Sequence, residues 1–142
     1  MPTRKASATW EGGLKGGKGS FSGESGTVKG AYSFGSRFEN APASNPEELL
    51  AAAEAACFSM ALSGALEKNG TPPTKIETTA ACSIEKSGEG FRISGIKLTV
   101  RVNAKGTDAQ TLKKLAEQTK EGCPVSAAFK GNVKLEVEAT LA

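Results

Sequence analysis

Between Leu49 and Leu62 the chain runs through an almost wholly apolar stretch in which Glu54 is the single charge. Its Ala and Leu content favours a helix, and a helix apolar on nearly every side must be covered on most of them. The start is signalled by Asn45 as cap, Pro46 in the first turn, and Glu48 three residues after Asn45 as a variant capping box. Asn69-Gly70 supplies the stop, and Pro72-Pro73 prevents resumption. A helix from Pro46 to about Lys68, buried on most sides, is therefore the expected spine of the fold.

The rest of the chain must be arranged around that spine. With 142 residues, one domain over 1–142 is the expectation. Apolar residues make up 38%, with one Trp, one Tyr and six Phe, a modest core that a second subunit could complete. The Gly- and Ser-rich first third suits hairpins, with strands at Ser7 to Glu11, Lys18 to Ser22 and Thr27 to Ser33 and a turn at Gly26. After the helix, Lys75 to Glu85 alternates as a half-buried strand, with Ile76, Thr78, Ala80, Cys82 and Ile84 on one face. Phe91 to Val102 repeats the pattern but slips phase near Gly95, where a bulge would realign it, and Ser87-Gly88 supplies the turn between them.

Thr107 to Gln110 reads as a second capping box, opening a helix to about Glu121 with Leu112, Leu115, Ala116 and Thr119 inward. Gly122 closes it. A short helix from Pro124 to Phe129 and a strand with Val133, Leu135, Val137, Ala139 and Leu141 inward complete the order β-β-β-α-β-β-α-α-β, an α+β domain.

Charge narrows the function. The net charge of +3 comes from scattered basic residues without an Arg/Lys stripe, so no nucleic-acid partner is expected. Met1-Pro2-Thr3-Arg4-Lys5 has no apolar segment behind it, and no stretch is expected to approach membrane-spanning length, which points to the cytoplasm. Three widely spaced cysteines without a C-x-x-C argue against a secreted disulfide framework. There is no His, which removes the usual imidazole base and the commonest metal ligand. Chemistry here falls to sulfur with a carboxylate, Arg or Lys beside it.

Cys57 on the apolar helix is either a packing residue or a reactive thiol. Cys123, between Gly122 and Pro124, falls at the start of the short helix, where exposed N–H groups favour a thiolate. Cys82, in mid-strand, reads as packing. Taken alone, Arg37 is a surface cation and Glu47 a carboxylate suited to a helix start. Glu47 and Cys57 are separated by about 15 Å along a straight helix. If both serve one site, the helix breaks near Ala51 or Glu47 reaches the Cys57 of another subunit.

The run Asn45-Pro46-Glu47-Glu48-Leu49-Leu50 through Ala55-Ala56-Cys57-Phe58-Ser59-Met60-Ala61-Leu62, with Gly122-Cys123-Pro124-Val125-Ser126, resembles the family of osmotically inducible protein C (OsmC) and the organic hydroperoxide resistance protein (Ohr). Ala8-Thr9-Trp10-Glu11-Gly12, Glu24-Ser25-Gly26, Arg37-Phe38-Glu39 and Thr78-Thr79-Ala80 extend the similarity and favour the OsmC branch. The resemblance implies an intertwined homodimer with two sites at the subunit boundary. In each, Cys57 would be the peroxidatic thiol, Cys123 the resolving thiol, Arg37 the residue holding the thiolate and Glu47 its carboxylate partner. It implies reduction of organic hydroperoxides, and less well hydrogen peroxide, through a Cys57 sulfenic acid and a Cys57–Cys123 disulfide. No bound cofactor or metal is implied, and an external dithiol such as a lipoylated protein would return the thiols.

An apolar wall of Phe58, Met60 and Phe129 with partner residues would receive the organic group. Glu54 departs from relatives that often carry His there, and Cys82 is not a family site. The competing reading is a non-catalytic redox sensor or small-molecule-binding stress protein on the same fold.

Overall fold

The computed structural model describes residues 1–142. The chain forms two compact units, Met1–Leu49 and Leu50–Ala142. The first holds an antiparallel sheet of β1 (Ala6–Glu11), β2 (Lys18–Gly23) and β3 (Lys29–Tyr32), in that order. Gly19 pairs with both Trp10 and Tyr32, and its missing side chain is what lets their rings close over it. A Cβ there would lie 2.5 Å from the Tyr32 ring and 2.7 Å from that of Trp10. All six residues of β1 are exposed, so the sheet lacks a covering layer in the single chain.

A short helix, α1 (Phe34–Phe38), follows β3 and is absent from the order read off the sequence. It is built by a reciprocal serine pair: Ser33 Oγ accepts from the Ser36 N–H at 3.0 Å, and Ser36 Oγ from the Ser33 N–H at 2.8 Å. Five residues are too few to show a helical period.

The long helix, α2 (Pro46–Lys68), is unbroken. Asn45 caps it, accepting from the Glu48 N–H at 2.8 Å. The box is only half formed, because the Glu48 carboxylate takes the Ser44 hydroxyl at 2.9 Å. At the other end Gly70 adopts φ +81, and the Leu66 carbonyl accepts the Thr71 N–H at 2.9 Å while Glu67 accepts that of Gly70 at 3.0 Å. These paired reversals satisfy carbonyls that the helix end leaves open.

The second unit carries a sheet of β4 (Pro73–Ser87), β5 (Gly90–Ala104) and β6 (Lys134–Leu141), in that order, with β6 parallel to β5. The expected bulge is present: Ser83 pairs with Gly95 but Ile84 with Ile93, so Ser94 is the extra residue that restores the phase. The turn falls one residue later than expected, since Ser87 pairs with Gly90 and Gly88 supplies the positive φ. Asp108, not Thr107, caps α3 (Ala109–Gly122), accepting from the Thr111 N–H at 2.7 Å. Asp108 stands immediately before the first helical residue, the position from which a side-chain oxygen reaches the open N–H groups. Then comes α4 (Pro124–Phe129). Leu141 is exposed at the end of the edge strand β6, and the other four expected inward positions of that segment are buried or half-buried. With α1 added, the α+β order is the one expected.

The core forms where α2 lies against β5 and α3. Phe58, Leu62 and Leu66, spaced by four, pack with Leu98, Val100, Val102, Leu112 and Ala116. With Glu47 and Glu54, this stripe of Phe58, Leu62 and Leu66 makes up the buried residues of α2 in the single chain, whereas Ala52, Ala53, Ala56 and Met60 are exposed, Met60 by 78%. The expectation that no segment approaches membrane-spanning length is corrected here. α2 has 23 residues and holds an 18-residue window of mean hydropathy 1.6, enough by length and composition.

Removing side-chain volume from the stripe should be costly. Leu62→Ala is expected to lose about 2–5 kcal/mol in denaturant unfolding, while Lys97→Ala on the exposed face of β5 should change stability by less than about 0.5 kcal/mol.

Candidate active site

The rotation of α2 fixed by Phe58, Leu62 and Leu66 presents Cys57 toward α4. Its sulfur lies 2.9 Å from that of Cys123, which is fully buried. The separation is far inside ordinary contact and longer than the roughly 2.05 Å of a disulfide. All three cysteines are thiols. Cys82 is half-buried in mid-β4, opposite Ile96.

Cys123 joins two helices, as the C-cap of α3 and the N-cap of α4, with extended backbone at φ −63 and ψ 126. Pro124 cannot continue α3 and starts α4 instead. The helix start was expected to favour a thiolate at Cys123. In the structure an N–H of its first turn, that of Val125, bonds the sulfur of Cys57.

That bond opposes stronger influences. The Cys57 thiol is pushed above its ordinary range, first by burial, then by the sulfur of Cys123 and more weakly by the carboxyl of Glu54. A second sulfur this close disfavours the charged form of Cys57. The unit that holds the sulfurs thus holds Cys57 back from the nucleophilic form.

One further side-chain pair bridges α2 and α4. Ser126 Oγ donates to Glu54 Oε1, both residues are fully buried, and Glu54 Oε2 has no partner. The sequence left the role of Glu54 open and passed over Ser126. A lone charge in the apolar stretch from Leu49 to Leu62 is itself a signal that a partner is needed.

Arg37 and Glu47 meet in the first unit. Arg37 Nε donates to both Glu47 oxygens, at 3.0 and 3.2 Å, and its Nη2 to Oε1 at 2.7 Å, a two-pronged pair. Glu47 is buried and Arg37 half-buried. Ser36 fixes the α1 end of this arrangement by donating to the Ser44 carbonyl at 2.7 Å, and Asn45 Nδ2 donates to the Ser36 carbonyl at 3.1 Å.

Arg37 also lines a cleft of about 240 Å³ with Trp10, Leu14, Tyr32, Phe34 and Phe38. The sequence missed this cleft. Its signal was the four-residue spacing of Phe34 and Phe38, legible only once α1 is known, and their rings stand 4.9 Å apart. The expected wall is corrected in one respect: Phe58 is fully buried in the core and cannot face a ligand. Met60 is exposed and Phe129 half-buried.

Two adjacent sulfurs on an α+β scaffold define the chain as a two-thiol redox protein. A family model described as OsmC-like protein matches residues 39–138. Peroxiredoxin OsmC of Escherichia coli (strain K12) is 46% identical over 136 residues, covering 95% of each chain. The organic hydroperoxide resistance protein OhrB of Bacillus subtilis (strain 168) is 37% identical over 101 residues, 70% of this chain and 72% of that one. The crystal structure of OhrB from Bacillus subtilis aligns with a TM-score of 0.76 at 28% identity, covering 96% of this chain and 98% of that one. The chain belongs to the OsmC/Ohr family and stands nearer its OsmC branch.

The coupling between the sulfurs gives a signed expectation. Cys123→Ala removes the sulfur that, after burial, does most to hold the Cys57 thiol up, so the Cys57 thiolate should form at lower pH. Iodoacetamide alkylation rates followed across the thiol range should show the midpoint moving down; an upward or absent shift would contradict the coupling.

Proposed function

We propose that the chain is a thiol-dependent peroxidase that reduces organic hydroperoxides to alcohols. The observation that carries this is the 2.9 Å approach of Cys57 and Cys123 within a family whose relatives are named for peroxide chemistry. Cys57 as thiolate attacks the terminal oxygen of the hydroperoxide, the O–O bond breaks, and the departing alkoxide takes a proton. The sulfenic acid left on Cys57 condenses with the Cys123 thiol, forming the S–S bond and releasing water. An external dithiol, with a lipoylated protein as the candidate, then exchanges with the disulfide and restores both thiols.

Arg37 is the cation that stabilises the Cys57 thiolate, and Glu47 orients it through the two-pronged pair. The aromatic cleft beside Arg37 receives the organic group. Hydrogen peroxide, which has no organic group to bury, is the poorer substrate.

The active form is a homodimer of one 142-residue domain per subunit, with Arg37 and Glu47 of one chain serving the Cys57 of the other. Three observations support this reading. α2 is unbroken, so the proposed alternative of a break near Ala51 is gone. Its Ala52, Ala53, Ala56 and Met60 face is uncovered, as is the sheet around β1. Cys57 lacks in its own unit the cation that its chemistry needs. Covering the remaining sides of α2 with a second copy makes it the central buried helix of a soluble, cytoplasmic dimer.

Cys57→Ser should abolish hydroperoxide consumption, because a hydroxyl provides no comparable anion at neutral pH. Cys123→Ser should allow one fast oxidation and then stall or over-oxidise Cys57. Steady consumption by Cys57→Ser would sink the assignment of Cys57 as the peroxidatic thiol, and no consumption by the wild-type protein would leave a binding or sensing protein.

After one equivalent of hydroperoxide, peptide mapping should find the Cys57–Cys123 disulfide with Cys82 still a thiol, since packing thiols are inert. A major disulfide containing Cys82 would reassign the role of whichever cysteine it replaced.

Subunit exchange tests the shared site. Inactive Cys57→Ser chains mixed with inactive, folded Arg37→Ala chains form a heterodimer with one doubly defective site and one intact site, so activity should partly return. No recovery after verified exchange would place Arg37 with the Cys57 of its own chain.

A further inference from the structure

We infer that Glu54 and Ser126 are a positioning pair for the resolving step: their hydrogen bond holds α4 on α2 so that Cys123 stays within reach of Cys57. This rests on the two-thiol peroxidase reading given above and deepens it.

The geometry is that of two parallel rungs. Glu54 and Cys57 are three residues apart on α2, and so share a face of that helix. Cys123 and Ser126 are three apart across the first turn of α4. One rung is the sulfur contact at 2.9 Å, and the other is the bond from Ser126 Oγ to Glu54 Oε1. The first rung is chemically changed in every cycle. The second is not, and it persists while Cys57 is a thiolate, a sulfenic acid or half of a disulfide.

α4 needs such a restraint. It has six residues, its N-cap side chain accepts from none of its own open N–H groups, and Gly131 at φ +83 lies just beyond its end. A helix this short has little cooperative stability of its own. Free thiols whose helix drifts by about 1 Å lose much of the rate of an intramolecular reaction.

The cost of the pair argues that it is more than filling. A buried carboxyl satisfied by one hydroxyl, with its second oxygen unpartnered, is an expensive way to occupy space that Leu or Met would fill. Its carboxyl even adds to the forces that hold back the Cys57 thiolate. What a hydrogen bond supplies and an apolar contact does not is a fixed direction and distance.

The step served is the competition that follows oxidation. Cys57 sulfenic acid and Cys123 thiol form the S–S bond while the S–O bond breaks, and the hydroxyl leaves with the thiol proton as water. If Cys123 is late, a second hydroperoxide oxidises the sulfenic acid to sulfinic acid, which no dithiol reverses.

The test compares Ser126→Ala, Glu54→Ala and Glu54→Gln in the full-length protein. Gln keeps an oxygen that accepts from Ser126, so it should rescue, while both Ala variants lose the rung. The first readout is the equilibrium of the thiol pair with glutathione, which reports the effective concentration of one sulfur at the other and needs no peroxide. Ser126→Ala and Glu54→Ala should disfavour the disulfide about tenfold, a potential more positive by about 30 mV, with Glu54→Gln close to wild type. The second is the lifetime of the Cys57 sulfenic acid after one equivalent of cumene hydroperoxide, trapped with dimedone. It should lengthen in the Ala variants, and sulfinic acid should accumulate under excess peroxide.

Wild-type equilibria in both Ala variants would overturn the inference, as would a Glu54→Gln shift as large as that of Ser126→Ala. If the equilibria move as expected but wild-type protein forms no sulfenic acid with hydroperoxide, the positioning pair stands and the peroxidase reading falls.

Discussion

The seating of α2 on β5 and α3 is the constraint on which the thiol geometry depends. Phe58, Leu62 and Leu66 are each fully buried, and together they set which way every other residue of the helix faces. With Phe58 pointing into the core, Cys57 and Glu54 fall on the flank that meets α4. Cys123 is held from the other side by the change of direction between α3 and α4, where Pro124 forces a new helix. Neither thiol is positioned by sulfur chemistry. Packing on one side and a helix junction on the other bring the two sulfurs together before any bond exists between them, which is the preorganisation that an intramolecular condensation needs.

That placement carries an electrostatic cost. Burial, the second sulfur and the Glu54 carboxyl all oppose the thiolate that peroxide attack requires, and a single backbone N–H from Val125 opposes them. The opposite problem exists in the first unit, where Arg37 and Glu47 form a tight two-pronged pair. The pair holds the guanidinium in one orientation, and three of its N–H groups are not engaged by Glu47. A buried carboxylate holding a half-exposed Arg leaves those donors for another anion. One unit is short of a cation and the other presents one, which is the physical reason for joining them across a subunit boundary in the proposed dimer.

Much of the secondary structure was legible because its signals are local. The cap at Asn45, the stop at Gly70, the period-two faces of β4 and β5 and the phase slip at Ser94 follow from residue types within a few positions of each other. What failed did so where two local signals compete or where the element is too short. Asp108 displaced Thr107 as a cap because both can accept from the open N–H groups, and sequence spacing does not rank them. The short α1 rests on a Ser33–Ser36 exchange with no apolar period to announce it. With α1 unseen, the aromatic cleft around Arg37 was hidden too, since Phe34 and Phe38 become neighbours only on a helix.

The candidate site was legible unevenly for a different reason. Cys57 and Cys123 stand out by chemistry and punctuation, and their pairing came through family resemblance; no local rule brings residues 66 positions apart together. Ser126 carried no such mark. Small, common and three residues beyond Cys123, it acquires meaning only through Glu54, whose own oddity was plain from the start as the one charge between Leu49 and Leu62. A buried carboxyl in an apolar stretch of helix must be answered by some other element, and the element that answers it here is the one that begins at the second thiol. The same two helices therefore share a permanent polar tie and a transient sulfur bond, and the permanent one limits how far the helices can separate while the sulfur bond is open.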